Sequence, residues 1–359
     1  MDVIAQGSDP TFFHRFAKHA RYIYQKPHVM RRAAENYARM ILMGQKRLSR
    51  VEFALNFECF AKCEHCSIQH LETKAPKHRP PMDLDQIKDA VRQFRELGTL
   101  NINLTGGEVL LLPYVGEVVE AADPRSTVVT LATNGVPVTK KKAKEIADWG
   151  ISIVTMSIDS STPDFHDANR KVKGCWERMI DAIELLRDEG VEVYLNTVLT
   201  RENMDDGDIY RMIELAVRKK VMLTVNPPME VGGWEGDDLG ANAEMSTFFR
   251  KLMKYPNVRW EGSTNYFKEG CMAGIEKLYI SHFGDVMPCN FTHLSFGNMQ
   301  DKPLSVIWHD MITNPKSPFN RIHDHCLIAE DPEFMRVFME PVFQSDVHPL
   351  PIEDHPAFQ

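Results

Sequence analysis

The sequence predicts an α/β fold, a partial six-stranded (β/α)6 barrel followed by a small cysteine-bearing C-terminal domain. Two observations carry that expectation. From Val51 to Asn226, short apolar or β-branched runs alternate with amphipathic helical stretches, which implies parallel strands joined by right-handed crossovers. The runs number six, too few for a closed eightfold barrel. Past Tyr266 the alternation stops, and Cys271, Cys289 and Cys326 follow.

Taken in order, residues 1–50 read as a basic helical arm interrupted at Pro27. Its first part, Phe12 to Tyr24, mixes aromatic and basic residues at roughly helical spacing. That pattern suits a helix packed on the barrel, or one in peripheral contact with an anionic membrane surface. The barrel occupies 51–235. Strands are expected at Val51–Phe57, Asn101–Leu104, Thr127–Ala132, Ile151–Ile158, Val191–Leu199 and Val221–Asn226. Helices are expected at Leu84–Leu97, Tyr114–Ala121, Lys140–Trp149, Trp176–Asp188 and Asp208–Arg218. Val231–Gly240 is a glycine-rich, acidic connector, opening a linker and helix to about residue 265. Residues 266–330 form the small domain, with a hairpin of Leu278–Ser281 and Val286–Pro288 around Gly284-Asp285. The last segment, 331–359, is a helix at Pro332–Phe343 and a proline-rich, extended tail.

Composition is that of a globular protein, 43% hydrophobic and 26% charged. A net charge of −8 argues against nucleic acid as a partner. The absence of a signal-peptide core or an apolar run of membrane-spanning length predicts a cytoplasmic location. In that reducing compartment, clustered cysteines bind metal more often than they form disulfides.

The chemistry concentrates in Cys59-Phe-Ala-Lys-Cys63-Glu-His-Cys66, at the mouth of the first strand. Three soft thiolates so close can hold three corners of an iron–sulfur cube and leave the fourth iron open. A zinc knuckle would need a fourth tetrahedral ligand, and neither His65 nor His70 completes a usual spacing. The other strand ends carry Thr105-Gly106-Gly107-Glu108, Thr133-Asn134-Gly135, Ser157-Ile-Asp159, Asn196 and Asn226-Pro-Pro228. Ligands of parallel α/β folds sit at that rim.

Cys-x3-Cys-x2-Cys, Gly-Gly-Glu and the six-strand pattern together resemble the radical S-adenosylmethionine (SAM) superfamily, over about Val51 to Pro228. The resemblance implies a 4Fe–4S cluster on Cys59, Cys63 and Cys66 whose open iron binds SAM. Reductive cleavage then yields methionine and a 5′-deoxyadenosyl radical that removes hydrogen from substrate. It further implies that Gly106 and Gly107 admit the methionine ammonium and that Glu108 supplies charge for it. His65 would lie beside the adenine. Thr133 and Asn134 would belong to the cofactor rim, while Ser157, Asp159 and Asn196 would reach ribose or carboxylate. Arg170, in the segment His166–Gly174, resembles an arginine that meets that carboxylate. Val109 departs from the pattern, in which proline often follows the glutamate.

Cys271, twelve residues, Gly284, four residues and Cys289 resemble the opening of the auxiliary-cluster domain called SPASM, or twitch when shortened. The shortened form implies one auxiliary 4Fe–4S cluster on Cys271, Cys289 and Cys326. Its usual closing Cys-x2-Cys is replaced here by His323-Asp-His-Cys326, so either a histidine, His323 or His325, is the fourth ligand or that iron is open. Cys175 is either packed or a hydrogen-atom donor. The implied partners are a small-molecule substrate and a reductant such as flavodoxin or ferredoxin. The alternatives are a ribosomal-peptide maturase and a non-catalytic electron carrier. The helical character of the first fifty residues, unlike a leader-peptide-binding domain, favours the small molecule.

Overall fold

The computed structural model describes residues 26–75, 79–239, 243–261 and 270–359. Six strands, β1 (Arg50–Asn56), β2 (Asn101–Gly106), β3 (Val128–Thr133), β4 (Ile153–Ser157), β5 (Glu192–Val198) and β6 (Met222–Asn226), lie side by side in that order. Every neighbouring pair is parallel. Among the helices are α1 (Pro27–Met43), α2 (Gln69–Thr73), α3 (Leu84–Glu96), α4 (Val115–Ala122), α5 (Lys140–Asp148), α6 (Pro163–Arg170), α7 (Cys175–Asp188) and α8 (Asp208–Lys219). The expected barrel elements are therefore present, with ends within about two residues of expectation.

Local chemistry explains the boundaries. Asp83 accepts from the Gln86 backbone while the Gln86 side chain returns to the Asp83 N–H, a capping box that starts α3. Ile87, Ala90, Val91 and Phe94 then form its buried stripe, with Phe94 edge-on to Phe53 of β1 at 5.2 Å. Val51, Phe53 and Leu55 pack outward into this layer. Residues alternating with them, Glu52 and Asn56, face the other way, as does Asn103 beside Glu52 in register.

The sheet does not end at six strands. β7 (Val258–Arg259) adds beyond β6, and β8 (Lys277–Ile280) pairs parallel with β1. β9 (Val286–Met287) closes the expected hairpin on β8, turning at Gly284 with φ +90°. The hairpin of the C-terminal region thus extends the barrel sheet. Where β8 meets β1, Lys277 and Arg50 share the buried carboxylate of Glu52 at 3.0 and 3.1 Å, and Arg50 also pairs with Glu261.

One expectation about the ends holds and one is corrected. Pro27 begins α1 at its first turn, where a missing N–H costs nothing, in keeping with a helix that starts at this proline. α1 and the Lys26 that precedes it are tied across the turns before β2, β3 and β4: Asn36 donates to the Gly98 carbonyl, Arg32 to that of Ser126, and Lys26 to the Ser152 hydroxyl. The aromatic stretch Phe12–Tyr24, on which membrane contact rested, lies outside the described residues. Among the described residues no helix is long and apolar enough to cross a membrane. The proline-rich tail, expected to be extended, is so only briefly: β10 (Leu294–Ser295) pairs with β11 (Leu350–Pro351), and short helical turns follow.

Candidate active site

The cysteine loop continues directly from β1. Gly107 N–H donates to Asn56 O at 3.0 Å and Glu108 N–H to Glu58 O at 2.8 Å, so β2 holds the loop's start. Lys62 N–H donates to the Arg170 carbonyl at the end of α6, and Gly233 N–H to the Cys66 carbonyl at 3.0 Å. A Cβ on Gly106 or Gly107 would overlap the Asn56 or Glu58 carbonyl oxygen. Close approach of two backbones therefore demands these glycines, whatever else they admit. Gly232 and Gly233 meet the same constraint against Cys66 and Glu64. The segment expected to be a connector is instead a second wall of the cysteine loop, with Trp234 packed on the His65 ring at 5.4 Å. Gly-Gly-Trp directly after a strand tip was the available signal.

Glu108 has partners within the protein itself. Its buried carboxylate accepts from Leu110 N–H, Asn134 N–H and the Thr133 hydroxyl, at 3.1, 2.9 and 2.9 Å. Both oxygens are engaged in tying β2 to β3, and burial pushes the carboxyl above its ordinary range. Asn134 turns its side-chain oxygen to Val136 N–H, which leaves its Nδ2 buried without a partner. Asn56 Oδ1, at the end of β1, is orphaned in the same way. A donor and an acceptor, each costing about 1–3 kcal/mol while unmet, thus remain at strand ends on the expected rim. They suit a polar zwitterion such as the methionine end of SAM.

Asp159 and Arg170, both expected at the cofactor, pair with each other, bidentate at 2.6 Å for each bond. The guanidinium holds the Asp159 carboxyl well below the carboxylate range despite burial, and the carboxylate holds Arg170 firmly charged. His65 fills the space between this pair and Trp234, with its Nδ1 3.1 Å from Asn169 Nδ2 and its Nε2 3.5 Å from Asp159. Ser157 and Asn196 are register partners on β4 and β5, and Asn196 Oδ1 accepts from Asn226 Nδ2 at 2.9 Å. Cys175 is fully buried at the start of α7, its thiol pushed up by burial to about 11.

All seven thiols are free. Burial raises Cys59, Cys63 and Cys66, the last to about 11, and lifts Cys289 to about 12. Cys326 is pushed higher still, with Cys271 as the next largest cause. Thiols like these become thiolates only when a metal takes the proton's place. Among the described residues, neither cysteine triad brings its three sulfurs within 4.8 Å of one another. Tetrahedral zinc would hold them roughly 3.8 Å apart, so neither triad is set for a lone zinc ion. Cys271 N–H donates to His323 O at 2.7 Å, while His323 Nε2 faces the Pro318 carbonyl at 2.7 Å. Only Nδ1 of His323 is left for a ligand, the arrangement a metal-bound imidazole commonly has. His325 instead faces Asp324. Along β8, Lys277 lies close enough to Cys289, and Tyr279 to Cys66, for their charges to be felt.

Comparison with known proteins agrees with this geometry. The model of the radical SAM superfamily matches residues 56–213, and that of the SPASM iron–sulfur cluster-binding domain matches 271–326. The AdoMet-dependent heme synthase of Oleidesulfovibrio alaskensis is 25% identical over 310 residues, 77% of this chain and 78% of that one. The PqqA peptide cyclase of Rhizobium meliloti is 26% identical over 275 residues, 71% and 72%. Streptococcus suis SuiB, solved with SAM bound, superposes with a TM-score of 0.59 at 16% identity, covering 85% of this chain and 77% of its own. SuiB has also been solved with its precursor peptide SuiA, again at 0.59, covering 79% and 69%. A 4Fe–4S cluster, an auxiliary cluster and SAM are the cofactors these two domains imply. The chain belongs to the radical SAM enzymes that carry a C-terminal SPASM domain.

Proposed function

We propose that this enzyme modifies a peptide by hydrogen-atom abstraction, with its two cysteine triads holding the clusters at either end of one barrel interior. The carrying observation is β8, which pairs directly with β1, the strand that runs into the Cys59–Cys66 loop, and turns through β9 into Cys289. Cys59, Cys63 and Cys66 would bind the first cluster; Cys271, Cys289 and Cys326, with His323 Nδ1 as fourth donor, the auxiliary one. When bound, the first cluster and SAM supply the 5′-deoxyadenosyl radical. The protein's share is orientation. Asn56 Oδ1 and Asn134 Nδ2 meet the methionine end, His65 and Trp234 wall the loop, and Asp159 keeps the Arg170 charge fixed beside Cys63. The auxiliary cluster would take an electron from the substrate or hold it.

The peptide reading draws support from the PqqA peptide cyclase relative and from SuiB with its precursor peptide. A small molecule is the second reading, favoured by the heme synthase relative. A decisive trial incubates reconstituted enzyme with SAM and dithionite, with and without short peptides encoded beside its gene or a tetrapyrrole. Formation of 5′-deoxyadenosine together with a mass-shifted peptide supports the proposal. Turnover coupled only to the tetrapyrrole moves the assignment to the second reading, and no 5′-deoxyadenosine at all overturns both.

A further inference from the structure

A second donor cluster lies behind the cysteine loop and takes no part in the chemistry above. Among the described residues, His70, Glu235 and His348 bring one ligand atom each within 4.8 Å of one another. His70 stands on α2 just after the cysteine loop, Glu235 follows Trp234, and His348 comes from the tail. A third imidazole stands next to them, outside that distance, the His293 ring centroid lying 5.8 Å from that of His348.

These groups have an excess of acceptors and too few partners. His293 and His348 are fully buried, yet both ring nitrogens of His293 and Nδ1 of His348 complete no hydrogen bond. The Ser67 and Asn290 carbonyls face His293 without satisfying it. Such atoms are costly to bury unmet. His293 also holds a left-handed backbone, φ +41°, that a non-glycine residue adopts only under constraint. The frame around the site is fixed independently of the side chains: Leu350 N–H donates to His293 O at 2.9 Å and His348 N–H to Lys74 O at 3.0 Å. One cation already sits there. Lys74 Nζ lies 3.3 Å from His348 Nε2 and 3.4 Å from Glu235 Oε1, on a side chain with a route to solvent.

We propose that His70, Glu235 and His348, with His293 as fourth donor, form a mononuclear site for a divalent first-row metal ion such as Zn2+, in which Lys74 is the cation the metal displaces. Three imidazoles and one carboxylate are a borderline N/O set, suited to Zn2+ in tetrahedral geometry. Without a thiolate the site is chemically distinct from both cysteine triads. Bound there, the ion would fasten the C-terminal region and tail to the helix that follows the cysteine loop.

The test titrates Zn2+ calorimetrically into protein whose iron–sulfur clusters have first been assembled anaerobically. One equivalent should bind, at least tenfold more weakly in Glu235→Gln and His348→Gln. Lys74→Ala should bind more tightly than the unaltered chain, because a competing ammonium is gone. If His348→Gln fails to fold, the Lys74→Ala comparison decides alone, since that side chain is part-exposed. No binding by either the unaltered chain or Lys74→Ala overturns the proposal. So does equal affinity across all variants, which would place the ion elsewhere.

Discussion

The two cysteine triads make the same kind of donor set by opposite means. Cys59, Cys63 and Cys66 lie within eight residues of one loop, so sequence spacing alone brings them together. Around them the protein arranges charge: the Asp159–Arg170 pair, His65 and a wall of glycine backbone. Cys271, Cys289 and Cys326 come from separated segments, and only the hairpin of β8 and β9 and the bridge to His323 collect them. All six cysteines are half-buried, but the Cys289 and Cys326 thiols are the more strongly raised. A local triad beside an ion pair suits a cluster that must meet a ligand. A dispersed one suits a cluster whose potential is set by its surroundings.

The largest expected effect separates the triads directly. Cys63→Ala should abolish 5′-deoxyadenosine formation, whereas Cys289→Ala should keep SAM cleavage and lose substrate product, read together by chromatography. Loss of cleavage in both variants would break the division of labour.

Next comes the ion pair beside the first triad. Asp159→Asn leaves the Arg170 guanidinium buried and unpaired, which should cost about 3–5 kcal/mol in chemical denaturation. A loss under 1 kcal/mol would mean that Arg170 finds another partner.

His166, whose Nδ1 accepts from Asp159 N–H at 3.1 Å, is held neutral by burial, its pKa lowered to about 4. The unfolded chain takes up this proton near pH 6.5 while the folded chain refuses it. Stability from this group is thus complete above pH 6.5 and lost as pH falls. Between pH 6.5 and pH 5 the loss should be about 2 kcal/mol, and His166→Gln should remove that part of the acid slope. An unchanged slope would show that the imidazole accepts its proton without unfolding.

The smallest effect tests the glycine wall. Gly233→Ala forces a methyl group into the Glu64 carbonyl, at about 1–3 kcal/mol by the cost of overpacking. Iron bound at the first triad should drop while that at the second stays constant, measured by iron content in single-triad variants.

How much of this was legible depended on distance along the chain. The barrel strands and their helices follow from local hydrophobic period, and Cys59, Cys63 and Cys66 from spacing. The pairing of β8 with β1 was not legible, because nothing within Lys277–Ile280 names a partner some 220 residues earlier. The partners of Asp159 and of Glu108 were not legible either: residue type pointed to a cofactor contact, while spacing did not show that a guanidinium or backbone N–H groups come within reach of these carboxylates. The Gly232-Gly233-Trp234 wall and the His70–Glu235–His348 cluster depend on segments that meet only in three dimensions.

The pairing of β8 with β1 has a consequence for any attempt to study the halves apart. Cutting the chain before Cys271 would strip β1 of its outer neighbour and leave a row of backbone N–H and C=O groups facing water. An uncovered parallel edge of mostly apolar residues is a template for self-association. The C-terminal domain is therefore also the barrel's edge guard, and a barrel made without it should aggregate before its chemistry can be assayed.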